Sequence, residues 1–222
     1  MTFSAAFFDM DGLFLDSEPQ WHQSQQEICA RYSYSWDDDD QRICIGGPLS
    51  RVGDYISDIC AHDMSGPQVV EELTQMMLVK LSTKAILMPG AFDAVERVKQ
   101  VMPVALVSAS PRILMDAALT TLPENFFKFT ISADDVARTK PFPDPYLHAA
   151  KVLGVDIEQS LIFEDSPTGI TAAVASGAFV VAVPHYVEVQ EQSRLKVIAS
   201  FEDITTADLE KWSEVNQREL GR

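Results

Sequence analysis

Short apolar runs alternate with helix-like stretches over most of this chain. Five runs without helical spacing predict buried strands, at residues 3–8, 104–107, 129–132, 161–163 and 179–183. Helical patterns lie between or after them, at residues 91–101, 113–122, 146–153 and 170–175. Strands and helices that alternate at this spacing indicate βαβ units and a mostly parallel sheet. The pattern therefore predicts an α/β fold.

A polar, helix-like block interrupts this alternation from residue 16 to about residue 84, with helical patterns at residues 21–30 and 69–81. We interpret it as a small helical cap inserted after the first strand and joined to the core by linkers near residues 13–16 and 86–89. The predicted division is a core of residues 1–15 and 87–222 with a cap of residues 16–86.

Two polar segments are expected to lack regular structure. The four-aspartate run at residues 37–40 has the composition of a solvated loop. Residues 214–222 are polar and are expected to fray.

Composition limits the function more than the fold. The chain has 222 residues, 46% of them hydrophobic, which is enough for one core plus a small inserted domain. Its 17 basic and 33 acidic residues give a net charge of −16, which disfavours nucleic acid and anionic membranes as partners. A small phosphorylated substrate is compatible with that charge, because a metal ion and a few cations can reverse the field locally.

The cysteines and the apolar runs point to a cytoplasmic protein. Cys29, Cys44 and Cys60 are odd in number and form no CxxC pair, which is typical of reduced thiols. The chain shows no signal-peptide pattern and no apolar run of about 18 residues that would span a bilayer. Because no feature indicates an obligate partner, a monomer is expected.

Candidate chemistry begins where the first apolar run ends, at Asp9 and Asp11, and Gly12 then permits a turn. Two carboxylates beside a buried strand are costly unless a cation or hydrogen bonds hold them. Three further polar segments follow later strands, at residues 108–110, 140–144 and 164–169. Open α/β sheets bind ligands at the carboxyl ends of their strands, so the four segments predict one active site.

Each segment has a role in phosphoryl transfer. Asp9 can attack phosphorus to form an aspartyl phosphate, while Asp11 protonates the leaving oxygen and later activates water. The Ser108 hydroxyl and the Ala109 amide can bind phosphate oxygens, and Lys140 balances the negative charge.

The attack of a carboxylate on a phosphate dianion also requires a hard divalent cation. Mg²⁺ prefers oxygen ligands and usually takes one or two carboxylates. Asp9 and Asp165 are the predicted direct ligands, with the backbone carbonyl of Asp11 as another. Glu164 is expected to bind the metal or to support its ligands.

The four segments together resemble those of the haloacid dehalogenase-like hydrolase superfamily, and the block after residue 16 resembles its small helical cap. Within it, residues 16–19, 108–111 and 164–166 resemble the β-phosphoglucomutase-like branch, and most closely the 2-deoxyglucose-6-phosphate phosphatase type of sugar phosphatase. The resemblance implies a Rossmann-like core, a required Mg²⁺ and a cap that closes over the substrate. It places Glu18, Trp21, Gly46 and Arg51 on the substrate face of the cap.

The expected function is a Mg²⁺-dependent phosphatase of small sugar phosphates. A β-phosphoglucomutase or a related mutase remains an alternative. Mutases of this family use a cap histidine at the position that aligns with Trp21, and His22 lies one residue further on, which favours the phosphatase. A phospho-accepting signalling module is a third hypothesis, but such modules are shorter and place their acidic pair before the acceptor aspartate.

Overall fold

The protein was analysed as a computed structural model that describes residues 3–45, 48–83, 85–185 and 187–221. These residues form six strands: β1 (Ala5–Phe8), β2 (Val104–Val107), β3 (Thr130–Ile131), β4 (Ser160–Glu164), β5 (Phe179–Ala182) and β6 (Leu195–Val197). They also form nine α-helices: α1 (Glu18–Arg31), α2 (Asp38–Cys44), α3 (Leu49–Ile59), α4 (Gly66–Thr83), α5 (Ala91–Lys99), α6 (Arg112–Leu119), α7 (Asp144–Leu153), α8 (Pro167–Ser176) and α9 (Thr206–Glu219). No helix in these ranges combines the length and apolar character that a bilayer-spanning segment needs.

The strands form one sheet in the order β3-β2-β1-β4-β5-β6, and every neighbouring pair is parallel. β1 lies inside the sheet, where Phe8 is opposite Leu106 of β2 and Phe163 of β4. All six carboxyl ends therefore lie at one edge. This arrangement confirms the predicted α/β class with a mostly parallel sheet.

Both faces of β1 are buried, which explains its unbroken apolar run. Ala6 and Phe8 belong to a core that includes residues of α5, α6 and α9. Ala5 and Phe7 belong to a second core that includes residues of α7 and α8. The Phe8 and Phe163 rings stack with centroids 4.5 Å apart, which fixes β1 against β4 on the first of these faces.

Helices α1 to α4 lie between β1 and α5 in the chain and enclose a third cluster of buried residues. Helix α4 also reaches the first sheet core through Met77 and Leu81. The two chain segments that join the helices to the sheet run side by side, since the Asp16 amide donates to the Ile86 carbonyl at 2.8 Å. The domain limits at residues 15/16 and 86/87 stay a prediction.

The prediction of a loop at residues 37–40 was wrong. Asp37 accepts hydrogen bonds from the amides of Asp39 and Asp40 and so caps α2. The Asp40 carboxylate is buried and accepts hydrogen bonds from the Tyr34 and Tyr55 hydroxyls. These hydroxyl partners lie outside the acidic run, and they allow Asp40 to be buried in the first turn of α2.

The prediction of a frayed C-terminal segment was also wrong, because α9 continues to Glu219. Asn216 is fully buried there, and its side-chain amide donates to the Glu158 carbonyl at 2.9 Å. This contact ties the last turns of α9 to the loop before β4.

Candidate active site

The strand ends hold the predicted catalytic residues in fixed positions. The Asp9 amide donates to the Phe163 carbonyl at 3.1 Å, and the Ser108 amide donates to the Ile131 carbonyl at 2.9 Å. The hydrogen bonding between strands thus extends one residue beyond β1 and β2. One cavity at this edge is lined by most of the predicted site residues, namely Asp9, Asp11, Glu18, Trp21, Ser108, Ala109, Lys140 and Asp165.

Lys140 is a buried cation at the base of this cavity, with 3% of its side chain exposed. Its ammonium group forms an ion pair with Asp9 and donates to Glu164 Oε1 at 2.7 Å and to the Val107 carbonyl at 3.0 Å. Although burial lowers it, the charges of Asp9 and Glu164 raise the pKa of Lys140 above its ordinary value. Lys140 therefore stays charged and offsets part of the carboxylate charge.

Glu164 is fully buried and has donors on both carboxylate oxygens. Oε1 accepts the Tyr146 hydroxyl at 2.6 Å as well as Lys140, and Oε2 accepts the Asp165 amide at 3.1 Å. A Cβ at Gly169 would overlap this carboxylate, so only glycine leaves room for it. These contacts indicate that Glu164 orients Lys140 and the end of β4.

Sequence reasoning missed Tyr146 and Gly169. An aromatic residue on an amphipathic helix is usually a core residue, and nothing in the sequence reveals the partner of its hydroxyl. Gly169 lies inside the fourth predicted segment, and its position in the first turn of α8 was the available signal.

The acidic residues around Asp9 fit a hard divalent cation. Asp9, Glu164 and Asp165 each present an oxygen within 4.8 Å of the others. Asp165 Oδ1 is buried without a hydrogen-bond donor among the described residues. Burial, followed by the charge of Asp9, raises the pKa of Asp165 well above its ordinary value. A set of Mg²⁺ ligands has these two properties when no ion is bound: several carboxylates lie close together, and at least one of their oxygens has no hydrogen-bond donor.

Gly12 supports this cluster. Its backbone has a φ of +81°, and a Cβ there would overlap the Asp165 carboxylate. The turn after Asp11 therefore needs glycine both for its conformation and for its closeness to the acidic site.

Asp11 accepts three hydroxyl hydrogen bonds. Ser17 donates to Oδ1 at 2.8 Å, while Ser108 and Ser110 donate to Oδ2 at 3.1 Å and 2.7 Å. Ser17 directly precedes α1 and is almost fully buried. Sequence reasoning assigned no role to Ser17 and expected Ser110 to cap the following helix, but Ser110 donates to Asp11 instead, and α6 has no side-chain cap.

Two of the predicted cap residues line the cavity. Glu18 is half-buried, and burial followed by the charge of Asp11 raises its pKa to about 7. Trp21 lines the same cavity and packs against both the first sheet core and the third cluster, which helices α1 to α4 enclose.

The other two predicted cap residues lie elsewhere. Arg51 is exposed and donates to the Ile43 carbonyl at 2.8 Å, so it contacts the end of α2. It is not among the described residues that line the cavity, and neither is His22. Gly46 lies outside the described residues.

The comparison with known families identifies the class of protein. Residues 6–183 match the haloacid dehalogenase-like hydrolase family, and the chain belongs to that family. The family and its phosphatase relatives together make the chain a phosphoric monoester hydrolase.

Particular relatives agree with this assignment. The chain is 31% identical over 216 residues to hexitol phosphatase B from Escherichia coli K12, covering 92% of this chain and 96% of the relative. It is 29% identical over 176 residues to the fructose-1-phosphate phosphatase YqaB of the same organism, covering 79% and 93%. The solved structure of β-phosphoglucomutase from Clostridium difficile shares the fold, with a TM-score of 0.82, 20% identity and coverage of 99% and 100%.

Proposed function

We propose that the protein is a Mg²⁺-dependent phosphatase of small sugar phosphates that works through an aspartyl-phosphate intermediate. One observation carries the proposal: Asp9 lines a cavity where it is bonded to the buried Lys140 ammonium and lies in an acidic cluster with Asp165, whose Oδ1 has no donor among the described residues. The names of the relatives, a hexitol phosphatase and a fructose-1-phosphate phosphatase, support the substrate class.

In the first step, an Asp9 carboxylate oxygen forms a bond to phosphorus while the bond from phosphorus to the sugar oxygen breaks. Asp11 gives its proton to that oxygen, and the sugar leaves as a neutral alcohol. The Ser108 hydroxyl and the Ala109 amide bind non-bridging oxygens, and Lys140 offsets the charge of Asp9.

In the second step, Asp11 removes a proton from water, which attacks the phosphorus of the aspartyl phosphate and releases phosphate with Asp9 restored. The Ser17 and Ser110 hydroxyls donate to the two oxygens of Asp11 and hold its carboxyl group in position for this step. Asp9 and Asp165, with the Asp11 carbonyl, would hold Mg²⁺, which when bound supplies charge that offsets repulsion between carboxylate and phosphate.

The test compares Asp9→Asn with Asp93→Asn, a matched change at an exposed position of α5. Phosphate release from fructose 1-phosphate and from a hexitol 6-phosphate should fall by at least roughly 10³-fold in Asp9→Asn, because its amide is a poor nucleophile. Asp93→Asn should match the unchanged protein. Undiminished turnover by Asp9→Asn would exclude the covalent route.

Metal dependence is measured separately. EDTA should stop phosphate release and added Mg²⁺ should restore it. Hydrolysis that continues in EDTA would remove Mg²⁺ from the proposal.

The mutase alternative is not favoured. Trp21 lines the cavity at the position where the mutase histidine is expected, and the described cavity residues include no histidine. Conversion of β-glucose 1-phosphate to glucose 6-phosphate without free phosphate would reverse this judgement. We further propose that the enzyme is a cytoplasmic monomer, and light scattering after size-exclusion chromatography tests the monomer.

A further inference from the structure

Helices α1, α2 and α3 contribute one side of the active-site cavity, which we call the helical surface. Its residues include one acid, two amides and several apolar side chains: Glu18, Trp21, Gln25, Gln41, Leu49 and Val52. None of the described residues on this surface is a lysine, arginine or histidine. Among the described cavity residues the cation is Lys140, which is already bonded to Asp9 and Glu164.

Gln25 has a buried amide oxygen that accepts no hydrogen bond from the described residues. The residue is 4% exposed, and the oxygen without a donor is its Oε1 atom. A buried acceptor without a partner is unfavourable, and native proteins rarely keep one. Because Gln25 lines the cavity, a rotation of its terminal amide can turn Oε1 toward a hydroxyl group of a bound ligand, which then supplies the missing donor.

Gln41 holds the Glu18 carboxyl group, the second acceptor on this surface, in place. The Trp36 indole donates to Gln41 Oε1 at 3.2 Å, and Gln41 Nε2 donates to Glu18 Oε2 at 3.3 Å. The buried Trp36 therefore orients Gln41, and Gln41 orients the Glu18 carboxyl group within the cavity. Both Glu18 and Gln25 thus present oxygen acceptors to whatever occupies this space.

We infer that the helical surface is a subsite for an uncharged, polyhydroxylated leaving group, with Gln25 as a hydroxyl acceptor and Gln41 as the positioning residue for Glu18. A leaving group with a second phosphate or a carboxylate brings further acceptors and negative charge. Such a group would lie against Glu18 and the unpaired Gln25 oxygen, which cannot donate to it. The described part of this surface offers no cation to balance its charge. The subsite therefore discriminates against bisphosphates and phosphorylated acids.

This inference rests on the proposed function, because it assigns the side of the substrate that leaves as an alcohol. The first experiment compares kcat/KM of the unchanged enzyme on a hexitol 6-phosphate, fructose 1,6-bisphosphate and phosphoglycolate. We expect the hexitol ester to be preferred by about tenfold or more, since the site can pair its hydroxyls and rejects a second anion. Equal values for the three substrates would overturn the inference.

The second experiment uses Gln25→Met, which keeps the side-chain length and removes the acceptor, with Gln26→Met at an exposed position of α1 as its control. For the hexitol ester, Gln25→Met should lower kcat/KM about tenfold, the effect of one hydrogen bond. For p-nitrophenyl phosphate, whose leaving group offers no hydroxyl donor, the change should stay below about twofold. Equal losses on both substrates would show that Gln25 is merely structural.

The two proposals fail in different ways. If no phosphate ester is hydrolysed in an Asp9-dependent manner, the proposed function fails. If p-nitrophenyl phosphate is hydrolysed through Asp9 but neutral polyol esters are not preferred, only the subsite is wrong. The substrate comparison on the unchanged enzyme keeps this distinction even if Gln25→Met does not fold.

Discussion

Replacing Lys140 by methionine tests how the buried site is stabilised. The change keeps most of the side-chain volume but removes the cation between Asp9 and Glu164, whose side chains are 8% and 0% exposed. Removing one partner from a buried ion pair typically costs about 3–5 kcal/mol, because the remaining charge stays buried and unpaired. For a chain of this size, that loss lowers Tm by roughly 6–20 °C.

The loss in free energy of unfolding caused by Lys140→Met should also depend on pH. Burial, followed by the charge of Glu164, already raises the pKa of Asp9, and Lys140 opposes this rise. Without Lys140 the pKa of Asp9 in the folded state moves further above its unfolded value. The stability that such a carboxyl contributes is present below its unfolded pKa and is lost as pH rises through the folded pKa. Because the pKa of Asp9 is already about 8 with Lys140 in place, the stability deficit of Lys140→Met should be larger at about pH 9.5 than at about pH 6.

The assay is urea unfolding in EDTA, followed by circular dichroism at both pH values. Lys151→Met, at an exposed position in the last turn of α7, is the matched control and should change stability by less than about 0.5 kcal/mol. A deficit below about 1 kcal/mol for Lys140→Met, or one that grows as pH falls, would refute the reasoning.

Three further substitutions test neighbouring contacts by urea unfolding. Tyr146→Phe removes a donor to the buried Glu164 carboxylate and should cost about 1.5–3 kcal/mol; a change below about 0.5 kcal/mol would contradict that contact. Gly169→Ala places a methyl group against the same carboxylate and should cost about 1–3 kcal/mol or more, whereas a neutral result would show that Glu164 moves freely. Glu18, whose pKa rises from 4.5 to about 7, should make the protein less stable as pH rises through that interval, by up to about 3 kcal/mol. Glu18→Gln should remove that part of the decline, and parallel pH profiles for the two proteins would contradict the assignment.

The sequence predicted the parts of the site that follow directly from topology. Asp9, Ser108 and Asp165 each follow an apolar run, and parallel strands place their carboxyl ends together. Once the alternation of strands and helices was recognised, their convergence needed no knowledge of side-chain packing. The segment that carries Lys140 is placed by the same rule.

The parts that were missed depend on distant partners. Asp40 looks like one more residue of a solvated acidic run, and only its contacts with Tyr34 and Tyr55 make it a buried residue at the start of α2. Similarly, β6 has three residues, too few for a recognisable pattern. The cap positions of Gly46 and Arg51 came from resemblance alone, and their roles stay predictions.

The central place of β1 has a consequence for how the protein is made. Its neighbours in the sheet begin at residues 104 and 160, so a growing polypeptide carries β1 unpaired until β2 emerges and paired on one side only until β4 emerges. The four helices that emerge in between have an interior of their own and can collapse early. Until residue 160 has left the ribosome, Phe7 and Phe8 lack one of their two flanking strands, and we expect chaperones that bind apolar segments to recognise them during that interval.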